Sequence, residues 1–145
     1  MSLFGTSDAN KAANLKAEAE SRPHDVSVNK LQELLSSSDA GACTDAAEAL
    51  AIVAEEDPEA VRPITGDLRS LLNSDHKYTR ASAAHALGII AAAYPQAVQP
   101  AVDELHPLLT DSHGSARRST ATALGEVATE HPETVKPATN QLQLL

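Results

Sequence analysis

Aromatic side chains are nearly missing from this chain. Phe4, Tyr78 and Tyr94 are the whole complement, 2% of 145 residues. β-branched and aromatic runs bounded by turn residues, the mark of strands, are missing too. The core must come from Ala, Leu, Val and Ile, a set suited to close helix–helix packing and, for alanine, to helix formation itself. Cysteine occurs once, at Cys43, which excludes an intrachain disulfide and a cysteine metal cluster. No apolar run reaches the roughly 18 residues of a membrane span, and the N-terminus lacks a signal peptide's apolar core. The expected setting is a reducing cytoplasm. Positive charge is scarce: Lys and Arg number 11 against 20 Asp and Glu, a net charge of −9. Nucleic acids and anionic membranes are bound by neutralising phosphates with Lys and Arg, so neither is expected as a partner. The balance favours solubility and either a cationic partner or none.

What the chain does have is an internal repeat. Pro58, Pro95 and Pro132 stand 37 residues apart. So do Val61, Val98 and Val135; Pro63, Pro100 and Pro137; Leu71, Leu108 and Leu145; and Leu50, Leu87 and Leu124. Five sets in one register signal stacked supersecondary units. The apolar spacing within each unit is helical. Val61, Ile64, Leu68 and Leu71 make one stripe, and Ala84, Leu87, Gly88 and Ala91 the next. The reading is an all-α array of about three and a half helical hairpins. Each hairpin has an outer helix opened by Asp-Pro or its equivalent and an inner helix that follows a short turn. Pro63, Pro100 and Pro137 fall inside the outer helices, where each removes a backbone donor and clashes with the preceding turn. Those helices are expected to bend or divide. Gly88 and Gly125 fall inside inner helices and predict a neighbouring backbone passing close.

The expected domain organisation is a tail and capping helix over 1–25 and a repeat domain over 26–145. Its units are 26–57, 58–94, 95–131 and a half-unit 132–145. The first helix, from about Asp8 to Glu20, has Leu15 as its only large apolar residue and is expected to pack loosely. The last outer helix, carrying Leu142, Leu144 and Leu145, either caps the array or leaves a face that pairs with a second copy.

If Ala84, Leu87 and Ala91 face the core, residues half a turn away face out and line a groove. Three lateral rows follow: Asp45–Ser82–Ser119, Glu48–His85–Thr122 and Ile52–Ile89–Glu126, with Tyr78 beside them. The expected groove is polar and acidic, with an apolar strip at Ile52 and Ile89. The same residues offer no catalytic constellation. Six histidines include no pair at i, i+4 on one helix and no HExxH, so no metal and no cofactor are expected. A His85–Glu48 pair would need further ligands. Cys43 opens a helix, but Asp39 and Asp45 nearby oppose a thiolate. Glycine-rich phosphate loops are absent.

The unit's second helix carries Arg-x-x-x-Ala-x-x-Leu-Gly twice, as Arg80…Ala84…Leu87-Gly88 and Arg117…Ala121…Leu124-Gly125. With the proline-bearing first helix and the Asp-containing turn, this resembles HEAT repeats over about residues 26–145. The resemblance implies a right-handed α-α superhelix, a HEAT-like solenoid that works as a scaffold holding partners in its inner groove. It also implies a structural ladder between units in which Arg80 and Arg117 pair with turn residues Asp75 and Asp111. The first unit has Cys43 in place of the arginine. The acidic balance resembles that of cytosolic proteins of salt-loving organisms. The expected function is a non-enzymatic adaptor that binds a protein with a basic surface through Asp45, Glu48, Ile52, Tyr78, Ser82, His85, Ile89, Thr122 and Glu126. The alternative is a lyase-like or other small-ligand protein using His85, Glu48 and Tyr78 in a deep pocket.

Overall fold

The structure, a computed structural model, describes residues 7–134. Ser7 starts the first helix by accepting the Asn10 N–H on its side chain, and α1 runs Asp8–Ser21. Ser27 does the same for Lys30 at the head of α2 (Val28–Leu34), and Asp39 for Ala42 at the head of α3 (Ala40–Glu56). Each cap satisfies one of the amides that a helix leaves without an internal partner.

The outer helices are divided where the prolines predicted. Pro58 sits in the first turn of α4 (Pro58–Val61), a 3-10 turn at Arg62–Ile64 carries Pro63, and α5 (Thr65–Ser70) resumes. The next unit repeats this with α7 (Pro95–Val98), a 3-10 turn at Gln99–Ala101 and α8 (Val102–Leu105). A third proline, Pro107, adds a 3-10 segment over His106–Thr110 and leaves α8 a single turn. The inner helices are unbroken. α6 (Lys77–Ala93) and α9 (Gly114–Glu130) each have the same length as α3, 17 residues.

Helices α1, α3, α6 and α9 pack side by side in one layer, and the outer segments cover their other face. Between the layers runs one apolar seam. Leu31, Leu50, Leu68, Leu87 and Leu105 are fully buried, as are Val61 and Val98. Burying each such side chain stabilises by about 1.5–3 kcal/mol. The expected stripe shifts at one point: Leu71 is half-buried and Leu72 takes the core, because the 3-10 turn Leu71–Asn73 overwinds the chain there.

Two expectations are corrected. Helix α1 is not loosely packed: Ala12 and Ala19 are fully buried, and small residues let its backbone approach α3 as an inner helix would. The glycines are not forced by a close backbone. At Gly88 the α9 backbone does pass alongside, but a Cβ built there would meet Ser119 O at 3.7 Å and Ala123 N at 3.8 Å as ordinary contacts, and one on Gly125 would meet no described atom beyond its own helix backbone within 4 Å. The expected fourth outer helix, with Val135, Ala138, Leu142 and Leu145, and the open face it was expected to leave lie outside the described residues.

Candidate interaction groove

The turns before the inner helices share one device. Ser37, Ser74 and Asp111 are spaced at the repeat, and each side chain accepts the backbone N–H two residues on, from Asp39, His76 and His113. Asp111 alone among them is charged, and its side chain alone takes the arginine. Arg80 Nε donates to Asp111 Oδ2 at 2.8 Å and Nη2 to Oδ1 at 3.3 Å, while Nη1 reaches back to Ser74 O at 2.9 Å. The pair is 17% and 6% exposed. The Arg80 guanidinium holds the Asp111 carboxyl below its ordinary range, and Asp111 raises Arg80 in turn. Arg117 donates to the Asp111 backbone oxygen at 2.7 Å, within its own unit. Asp75 is exposed and makes no hydrogen bond among the described residues; the carbonyl of Ser74 stands where its carboxylate was expected. Cys43, in the arginine's place, is buried and donates Sγ–H to Leu35 O, and burial pushes its thiol pKa up.

A second ladder joins the outer helices and was not read from the sequence. Gln32 donates to Asp67 at 2.7 Å, and its repeat mate Arg69 donates to Glu104, mate of Asp67, at 2.8 Å. Glu104 is held below its ordinary range by that guanidinium. The signal was there: two polar columns recurring at the period.

On the opposite face of the layer, α3, α6 and α9 form a groove with two adjoining depressions. One, of about 550 Å³, includes Glu48, Ile52, Tyr78, Ser82 and His85. The other, of about 610 Å³, includes His85, Ile89, Thr122 and Glu126. Asp45 lies in a smaller hollow beside Glu48 and Tyr78. The nine expected positions thus fall on one face, though not with the expected contacts. Ser82 is buried, not exposed, and its hydroxyl lies 3.4 Å from Glu48 Oε1. Glu48 therefore meets Ser82, 34 residues on, rather than its row mate His85. Tyr78 is 60% exposed, its ring edge-on to His113 at 5.2 Å between centroids. Ile52 and Ile89 are half-buried and packed against the core.

Three charged residues in the groove were missed. Lys16 comes from α1 and binds Glu48 at 2.5 Å and Asp45 at 3.8 Å, and the Glu48 carboxylate raises the Lys16 pKa. The acidic end of the groove is thereby partly neutralised within the chain. Glu55 and Arg118 line both depressions, and Arg118 donates to Ser115 Oγ at 3.3 Å. Among the described residues no three His, Cys, Asp or Glu side chains converge as a metal site would require, and no helix is long and apolar enough to cross a membrane.

Residues 79–127, from α6 to α9, match the family model described as HEAT-like repeat. Two crystal structures of engineered proteins share the fold. One has a TM-score of 0.80 and 27% identity over 95% of this chain, the other 0.75 and 26% over 95%. The chain spans 64% of the first of those proteins and 38% of the second. No curated protein matches the sequence. The fold is that of an all-α solenoid, and within it residues 79–127 are similar to a HEAT-like repeat.

Proposed function

We propose that this chain is a non-enzymatic interaction scaffold that holds another protein in the groove of α3, α6 and α9. One observation carries the reading: Ile52 and Ile89 lie in line on the floor of a groove rimmed by charged and hydroxyl side chains. An apolar floor with a polar rim is the anatomy of a protein-binding surface. The adjoining depressions are open along the groove, a shape that suits a protein segment better than the enclosed pocket a small ligand requires. A partner with a basic surface suits the chain's net charge of −9.

The test is affinity capture with the full chain as bait, run beside an Ile52→Asn/Ile89→Asn variant whose helicity and melting are first shown to match. A partner recovered stoichiometrically by the parent and lost by the variant supports the groove. A partner retained by both places binding elsewhere on the solenoid.

A further inference from the structure

The chain itself shows what its inner-helix carboxylates accept. Lys16, carried on a helix that buries Ala12 and Ala19, lies on Glu48 and Asp45 of the neighbouring helix. This leaves the acidic pair at that end of the groove already engaged. Glu55 and Glu126 also line the groove, and no Lys, Arg or His nitrogen among the described residues lies within 4.0 Å of either. They flank the half of the groove floored by Ile89, Gly88 and Ala92.

The lining also selects the occupant's backbone. An extended peptide needs partners for its N–H and C=O groups. The groove lining holds no Asn or Gln to pair with a peptide backbone along its length, and three of its hydroxyls already make one hydrogen bond each: Ser82 with Glu48, Ser115 with Arg118, and Thr122 with the Arg118 carbonyl, which leaves Ser119 and Tyr78. A helix satisfies its own backbone and presents side chains only, the helix-in-groove mode.

Resting on the groove reading above, we infer that the occupant is an amphipathic helix of a partner protein. It sets small apolar residues on Ile52 and Ile89 and basic side chains on Glu55 and Glu126. Arg118, exposed between the two depressions, disfavours a uniformly basic helix and pairs with an acidic residue on the same face. Register follows from these three charges, while the floor supplies the apolar contact.

A displayed library of helical peptides, selected on the immobilised full chain, tests this. Enriched peptides should carry Lys or Arg beside small apolar residues spaced three or four apart. Glu55→Lys/Glu126→Lys should weaken their binding about tenfold, within the range expected for losing two exposed charge pairs. Exchanging the peptide's Lys for Glu should restore it, whereas Glu56→Lys, just outside the groove, should leave binding unchanged. Peptides that are lost with Ile52→Asn/Ile89→Asn yet are acidic, or ignore the Glu reversals, would overturn the assigned chemistry and spare the groove. Peptides indifferent to both sets of changes, or no enrichment at all, would sink both readings.

Discussion

Gly88 lies against α9 with room for a methyl group, and Gly125 faces no described atom beyond its own helix backbone within 4 Å. Both stand in the middle of 17-residue helices, where glycine costs about 1 kcal/mol relative to alanine. Gly125→Ala and Gly88→Ala should each raise the urea midpoint by an amount worth about 0.5–1 kcal/mol, since neither meets a clash among the described residues. Destabilisation by Gly88→Ala would mean that α6 and α9 approach more closely than these contacts allow. Thr120 poses the opposite case. It is fully buried, and its hydroxyl has no hydrogen-bond partner among the described residues. An unpaired buried hydroxyl costs about 1–3 kcal/mol, so Thr120→Val, which keeps the shape, should stabilise by about 1 kcal/mol in equilibrium denaturation. A loss of stability would show that the hydroxyl has a partner in solution.

Each inner helix is set on its neighbour by the turn before it. Ser37 and Ser74 only brace the turn, whereas Asp111 both braces it and holds Arg80 of the preceding inner helix. Asp111→Ala removes both interactions and should cost about 2–3 kcal/mol, in the range for hydrogen bonds to charged groups. Asp111→Ser, which copies the other turns, should cost less. The pH dependence has a definite sign. The folded-state pKa of Asp111 lies below its ordinary 3.8, so the pair's contribution is complete above that value and is lost as pH falls through the folded pKa. Acid titration of stability should accordingly be shallower in Asp111→Ser than in the parent; identical acid limbs would deny the carboxylate this role. Arg80, raised from an already high value, stays charged throughout.

In the array as a whole, stability is a sum of unit and neighbour terms. Helix α6 has inner helices on both sides, α3 and α9, while α9 is flanked among the described residues by α6 alone. Leu87 and Leu124 are repeat mates and both are buried, at 0% and 1% exposure. Truncating a core leucine to alanine costs about 2–5 kcal/mol, depending on how far the surroundings relax. Leu87→Ala should cost more than Leu124→Ala, because α6 is held between two inner helices while α9 has one such neighbour among the described residues. Equal losses in urea denaturation would argue that the units do not differ by position.

The helices, the divided outer segments and the shared face of the inner helices were legible in the residues, because proline geometry and apolar spacing act over a few positions and the repeat copies them along the chain. Which groove charges are engaged was not. Reading at the repeat finds equivalent positions 37 apart, but contacting side chains on adjacent units are offset: Thr44 with Thr79 and Gln32 with Asp67 are 35 apart, and Glu48 with Ser82 is 34. That shift comes from how one hairpin seats on the next. It put Lys16 over Glu48 and Asp45, buried Ser82, left Asp75 in solvent and kept Glu55 and Glu126 clear of any described cation. Local rules therefore decided the elements, and the packing offset between units decided the site.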